Sequence, residues 1–289
     1  MKPPRFDYAA PTTLDEALKL LAEHGEEAKV LAGGQSLMPM LNMRLARPAV
    51  LVDVNRVAEL EYIQRSGDVV AIGGLARQHD VSVSAEVRDG CPLVARALAH
   101  VGHPAIRYRG TICGSLAHAD PAAEMPAVAI ALGATMVAQS VRGTRSIAAA
   151  EFFRSWFTTA LDPDELLVEV QLRAQPPRAG CAFAEVARRH GDFAQAGVAV
   201  TLERDGRAVR DVRLVALAAG PAPVRLSRAE AELEGRVPDS STLEAAAAAA
   251  SGEITPPSDI HSSADYKRAV LAVLVKRAVR AAFEEAKSR

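Results

Sequence analysis

Cysteine is scarce in this chain of 289 residues, and its three cysteines, Cys91, Cys113 and Cys181, never form a Cys-x-x-Cys pair. Neither a zinc site nor an iron–sulfur cluster of its own is supported, and the three thiols are expected to be reduced and buried. No Gly-x-Gly-x-x-Gly stands at a strand–helix junction, which removes the Rossmann type of dinucleotide site. No Ser/His/Asp or Cys/His constellation stands out, so no catalytic residue and no metal ligand is assigned. His103, His118 and His190 read as hydrogen-bonded structural or loop residues. Charge of either sign is not in excess: the net charge of −1 leaves no electrostatic footprint for nucleic acid. Nowhere are there the roughly 18 consecutive apolar residues that a membrane span needs, and no apolar signal core follows Met1-Lys2-Pro3-Pro4, so a cytoplasmic protein is expected.

What the chain does have is two loops suited to phosphate. In the first, Lys29-Val30-Leu31-Ala32-Gly33-Gly34-Gln35-Ser36-Leu37, a short apolar run ends in a glycine pair. Glycine takes positive φ freely and lets backbone approach a ligand closely. Consecutive N–H groups of Gly34, Gln35 and Ser36 can converge into an anion nest ahead of a helix beginning near Leu37; the alternative is a plain tight turn. In the second loop, Gly110-Thr111-Ile112-Cys113-Gly114-Ser115 followed by Leu116-Ala117-His118-Ala119-Asp120-Pro121-Ala122-Ala123-Glu124, Thr111 and Ser115 place hydroxyls around Gly114. Hydroxyls donate to phosphate oxygens, whereas the carboxylates of Asp120 and Glu124 prefer sugar or ribityl hydroxyls. Ser115 as a helix cap and Glu124 as a solvated surface charge are the bland alternatives. Two such loops in one chain point to a dinucleotide cofactor.

The organisation reads as α+β without internal repeat. Thr13-Leu14-Asp15-Glu16 fits a capping box opening a helix that stops at His24-Gly25. A strand at Val30, a helix over 37–45 and a strand over 50–54 complete a first unit, 1–55. The second, 56–177, opens with strands about a Ser66-Gly67-Asp68 turn; the pattern is helical from Val81 to Val101 and again from Met125 to Leu132. Gly73-Gly74 is taken as a strand end with no phosphate role. Phe152, Phe153, Trp156 and Phe157 read as core packing, with a cofactor-stacking role as the alternative. After the Gln175-Pro176-Pro177-Arg178 linker, a third unit, 178–289, has strands around Asp205-Gly206, an alanine-rich helix from Leu243 and a helix from Asp265 to Phe283. On that last helix Tyr266, Ala269, Val270, Val273 and Leu274 fall on one face.

The two loops together resemble the FAD-binding subunit of molybdenum hydroxylases, the xanthine dehydrogenase family, in the form of the medium subunit of aerobic carbon monoxide dehydrogenase. Phe6-Asp7-Tyr8 with Pro11, Gly102-His103 with Arg107, Asp164-Glu165-Leu166-Leu167, Arg188-Arg189-His190-Gly191-Asp192-Phe193-Ala194, Gly220-Pro221-Ala222-Pro223-Val224-Arg225 and Asp265-Tyr266-Lys267-Arg268 extend the likeness, in order, over nearly the whole chain. The family usually has glycine at Cys113 and often a basic side chain near Ala184.

The resemblance implies an FAD-binding domain of the vanillyl-alcohol-oxidase type, in two α/β subdomains, followed by a C-terminal antiparallel three-stranded sheet with helices. It implies noncovalent FAD held by Leu31, Ala32, Gly33, Gly34, Gln35, Ser36, Leu37, Thr111, Gly114, Ser115, His118, Asp120 and Glu124. Leu167 would lie against the ring region, with Asp192-Phe193 in the neighbouring segment. It further implies a small [2Fe-2S] partner that delivers electrons, a large molybdenum-cofactor partner where substrate is hydroxylated, an assembly as a dimer of heterotrimers, and an external acceptor such as a quinone, NAD or oxygen. A free-standing flavoprotein oxidase and a scaffold that has lost FAD are the competing readings; the short unit after Arg178 argues against the first, and the intact glycines against the second.

Overall fold

The computed structural model describes residues 2–286. The first layer is a parallel three-stranded sheet in the order β1 (Asp7–Ala9), β3 (Val50–Asp53), β2 (Ala28–Leu31), with α1 (Leu14–His24) between β1 and β2 and α2 (Leu37–Asn42) between β2 and β3. Thr13 caps α1 as read: its Oγ1 accepts from the Glu16 N–H at 3.2 Å, while the Glu16 carboxylate accepts from the Thr12 N–H at 2.9 Å. Gly25 closes α1 at φ +50°. α2 is shorter than the apolar pattern predicts, because the chain leaves the helix and Arg44 turns left-handed at φ +58°.

The second layer pairs β4 (Ile63–Ser66) and β5 (Val69–Gly73) with β6 (Thr135–Ser140), β7 (Gly143–Ala148) and β10 (Leu166–Arg173), in the antiparallel order β4-β5-β10-β6-β7. The expected helix over 81–101 is three short ones, α3 (Gln78–Val83), α4 (Ala85–Gly90) and α5 (Pro92–Leu98). Ser84 breaks the run by capping α4, accepting from the Val87 N–H at 3.3 Å, and Pro92 can only begin a helix there. After them come α6 (Pro104–Arg107), α7 (Ile112–His118) and α8 (Glu124–Ala131). α8 is buried nearly all round, as expected of a helix without a polar face. α9 (Ala149–Phe152), β8 (Phe153–Ser155) and β9 (Thr158–Thr159) make a short excursion before β10. There the aromatic cluster divides: Phe152 is in the core, but Trp156 and Phe157 are exposed, contrary to the core reading.

The third layer is antiparallel: three long strands, β11 (Gly180–Ala187), β12 (Ala194–Asp205) and β13 (Ala208–Leu217), and a two-residue fourth, β14 (Val224–Arg225). Cys181, Ala199, Val215 and Leu217 pack with the core of the second layer; Ala182, Val198, Val200, Leu214 and Ala216 pack under α10 (Ser227–Leu233), α11 (Ser240–Glu253) and α12 (Ala264–Glu285). Burial on both faces is why 197–202 is a continuous apolar run instead of an alternation. The buried stripe of α12 is Lys267, Leu271, Leu274, Val275, Ala278, Val279 and Ala282; Tyr266, Ala269 and Val273 face outward, correcting the face read from the sequence.

Candidate functional site

Both loops open into one cleft of about 840 Å³, at the upper end of the range for small-molecule sites. β2 ends at Leu31, and the chain then turns through Ala32 to Ser36, with Gly34 at φ +72°. Asn55 holds this turn in place, its Nδ2 donating to the Ala32 carbonyl at 2.8 Å and to Asp53 Oδ1 at 2.6 Å. The N–H groups of Gly34, Gln35 and Ser36 have no acceptor among the described residues. They are free donors of the kind an anion nest requires.

The two glycines serve different ends. A Cβ on Gly33 would strike the backbone of Arg109 and lie 2.7 Å from the Cα of Gly110, so Gly33 is where the two loops touch. A Cβ on Gly34 would meet only the side chains of Leu31 and Met38, at 3.1 and 3.2 Å, and its requirement is the positive φ.

Thr111 is the N-cap of α7, with Oγ1 accepting from the Gly114 N–H at 3.0 Å; its own O–H remains free to donate. The missing Cβ of Gly114 would fall 2.6 Å from that oxygen. Ser115, which sequence reading left open as a cap, sits inside α7 and lines the cleft. Cys113 turns away from the loop into the core, its Sγ 3.8 Å from the Ile72 carbonyl, which is how this position tolerates a side chain where the family pattern has glycine. α7 ends on Ala119, left-handed at φ +51°, and this bend points His118 and Asp120 into the cleft. The His118 ring stacks at 5.1 Å on Phe157, and burial pushes its pKa down, against the opposing charge of Asp120. Glu124, the first residue of α8, is buried; desolvation lifts its carboxyl to about 7, helped by the charges of Glu185 and Asp120 and opposed by its own backbone N–H and His100.

Of the residues expected to hold a cofactor, Ala32 to Leu37, Thr111, Gly114, Ser115, His118, Asp120, Glu124 and Leu167 all line this cleft. Leu31 does not: it ends β2, and its side chain supports the Gly34 turn from behind. Leu167 projects at a bulge in β10. Gly73 ends β5 as read; Gly74 also lines the cleft, but its N–H is taken by the Val168 carbonyl at 2.8 Å, leaving it no phosphate role.

Two contributors, Asn55 and Arg77, are not singled out by the sequence. They brace the loops from outside. Phe157, at φ +51°, forms a wall with Thr158 and Thr159; its place beside Trp156 made it look like core. Gly191 to Phe193 reach in from the third layer, between β11 and β12.

The cleft suits a dinucleotide flavin by the chemistry of its donors. Lys29 is the single lysine or arginine among the lining residues, against Glu26, Asp120, Glu124, Asp162, Glu165 and Asp192. The backbone N–H groups of the first loop and the Thr111 hydroxyl are donors open to a diphosphate, while the carboxylates suit sugar hydroxyls. Glu165 is the exception: burial favours its neutral form, but Arg145, bidentate at 2.6 Å to both oxygens, outweighs that and holds its pKa down.

Comparison with known proteins agrees with this geometry. Residues 4–173 match the family model described as the FAD binding domain in molybdopterin dehydrogenase, and residues 181–282 that of the CO dehydrogenase flavoprotein C-terminal domain. The chain is 43% identical over 289 residues to the 6-hydroxypseudooxynicotine dehydrogenase complex subunit alpha of Paenarthrobacter nicotinovorans, covering 99% of this chain and 97% of that protein. It is 38% identical over 283 residues to the carbon monoxide dehydrogenase medium chain of Hydrogenophaga pseudoflava, covering 98% and 99%. Among solved structures, carbon monoxide dehydrogenase from Hydrogenophaga pseudoflava superposes with a TM-score of 0.97 at 38% identity, covering 99% of this chain and 100% of that one. Quinoline 2-oxidoreductase from Pseudomonas putida 86 gives 0.95 at 37% identity, covering 99% of each.

Proposed function

Because this chain belongs to the family of FAD-binding medium subunits of molybdenum hydroxylases, we propose that it is the electron-exit subunit of such an enzyme. In this reading it receives electrons from the [2Fe-2S] clusters of a small partner and passes them to an external quinone, NAD or oxygen, in a cytoplasmic dimer of heterotrimers whose large subunit carries the molybdenum cofactor. The observation that carries the reading is the facing of the two loops across one cleft, with free N–H donors on one side and the Thr111 hydroxyl on the other. When bound, FAD supplies the redox chemistry, and the protein supplies binding and orientation. Gly34, Gln35, Ser36 and Thr111 would hold the diphosphate, Asp120 and Glu124 the hydroxyl-bearing part, and Leu167 the ring region.

One observation supports placing substrate choice on another chain. The solved structures that superpose so closely are named for carbon monoxide and for quinoline, two unlike substrates. Among the described residues no cluster of His, Cys, Asp and Glu could hold a metal ion, and no helix is long and apolar enough to cross a membrane.

The test is direct. Acid precipitation of the purified chain should release FAD into the supernatant, and dithionite should bleach the flavin while hydroxylase substrates leave it oxidised. Recovery of FMN alone, flavin retained in the pellet, or bleaching by a substrate without partners would each overturn the reading.

A further inference from the structure

One polar side chain on the wall of the cleft is left without a partner. Gln78 opens α3 and runs beside the second loop: Arg77 before it pairs antiparallel with Thr111, and the Gln78 N–H donates to the Gly110 carbonyl at 2.8 Å. Gln78 lines the cleft, yet it is only 4% exposed. Its Oε1 is buried with no donor in reach among the described residues, and Nε2 has no acceptor among them.

Gly110 fixes which way the amide points. A Cβ on Gly110 would fall 2.6 Å from Oε1 and 3.1 Å from Cδ, so the carbonyl end of the amide fills the space that any other residue would need for its side chain. Turning the amide half round would gain nothing at that spot. The Ile106 carbonyl, 3.2 Å from the same point, already accepts from the N–H groups of Arg109 and Gly110, and both its lone pairs are used. Oε1 therefore faces a bare Cα, whose C–H is a weak donor, while Nε2, which is not sealed off as Oε1 is, is left for the cleft. Gly110 is also the residue that Gly33 touches, so this donor stands at the junction of the two loops. Burying an amide with neither end paired destabilises the empty protein, which makes Gln78 poor as a purely structural residue.

We propose that Gln78 is a further cofactor-binding residue, its Nε2 donating to a phosphate oxygen of the dinucleotide from outside both loops. The proposal rests on reading the cleft as the FAD site. An amide whose acceptor end is turned away suits a group that only accepts, and ionised phosphate oxygen is such a group, whereas a sugar hydroxyl also donates. The bond is charge-assisted although Gln78 is neutral, and Lys29 is the single lysine or arginine lining the cleft.

The experiment sets cofactor binding against the stability of the empty protein. Gln78→Met keeps the length of the side chain and removes both polar ends. Its apoprotein should melt at or above the parent temperature, because an unpaired amide has left the interior. Its Kd for FAD, by flavin fluorescence titration, should rise by roughly tenfold to somewhat over a hundredfold, the range of one hydrogen bond to a charged group. Gln78→Glu keeps the shape but turns an acceptor toward the phosphate, and should bind more weakly still at neutral pH. Phosphorus NMR of bound FAD should show displaced resonances in Gln78→Met, with the flavin absorption spectrum unchanged. Parent-like affinity in Gln78→Met would overturn the assignment. So would a lower apoprotein melting temperature with unmoved phosphorus resonances, the mark of a residue that only supports the fold. A parent that binds no FAD fails the functional reading and this one with it, whereas a parent and variants that bind FAD equally well fail this one alone.

Discussion

Arg77 donates from Nη2 to Asn55 Oδ1 at 2.8 Å, and the same guanidinium donates from Nη1 to the Arg109 carbonyl at 2.8 Å. Asn55 in turn holds the Ala32 carbonyl. One side chain therefore ties the first loop to the second from behind, without lining the cleft itself.

Arg77→Ala should weaken FAD binding by about 1.5–3 kcal/mol, the worth of a hydrogen bond to a charged group, or roughly ten- to more than a hundredfold in Kd. Arg77→Lys should recover little, because an ammonium cannot reach two acceptors as a planar fork does. Flavin fluorescence titration of the apoprotein measures both; parent-like affinity in Arg77→Ala would show that the loops hold their spacing without the brace.

The glycine pair predicts an ordered series. Gly33→Ala should abolish FAD binding and lower stability, since its Cβ meets the backbone of Arg109 and Gly110, which has no rotamer to yield. Gly34→Ala should fold and bind more weakly, losing about 1 kcal/mol or somewhat more to the positive φ; Gly34→Val adds a branched side chain against Leu31 and Met38 and should lose more. Thermal melts with and without FAD separate folding from binding. The reverse order of the two alanine variants would show that the contact between the loops matters less than the turn.

Cys113→Gly, although it restores the commoner family residue, should not improve FAD affinity. The thiol is buried against the Ile72 carbonyl, and its pKa is pushed up by burial. Removing it from α7 should instead cost roughly a few tenths of a kcal/mol in helix propensity and the packing of a buried side chain besides. Thiol reagents should leave Cys113 unmodified in the folded protein, a result readable by mass spectrometry.

Acid sensitivity should appear at the ion pair between Lys267 and Asp259. Lys267 is buried on α12 and donates to Asp259 Oδ2 at 2.5 Å and to the Pro257 carbonyl at 2.9 Å. The lysine, then the His261 N–H, hold the Asp259 carboxyl down to about 2 against desolvation. The folded pKa lies below the unfolded one, so this stability is fully present above about pH 4 and is lost as pH falls through about 2. Asp259→Asn should destabilise by about 1–3 kcal/mol, less than breaking a fully buried pair because the Asp259 side chain is 42% exposed, and should flatten the acid limb of the stability curve. Urea melts at pH 3 and pH 7 check both.

The loops were legible because they are local: glycine, serine and threonine at short spacing carry their conformational meaning with them. What the sequence concealed is what depends on partners far along the chain. Arg77 and Asn55 are ordinary polar residues until the fold brings them together. Phe157 is indistinguishable from core until its backbone turns left-handed, and the stripe of α12 was misplaced because Lys267 is buried with its own counter-ion while Tyr266 is not. Ser84 and Pro92 mark the break locally, but the apolar periodicity across it is the stronger signal.

The wall contributed by Gly191 to Phe193 comes late in the chain. A ribosome finishes the loops of the first two layers well before it makes the β11–β12 turn, so a nascent chain holding only the matched 4–173 segment has a cleft open on that side. The third layer is held to the first two through contacts such as Arg96 with Glu285 and the Arg213 reach to the Ala131 carbonyl at 3.5 Å. A chain cut after residue 173 is therefore expected to hold flavin less tightly than the full chain, which flavin fluorescence measures.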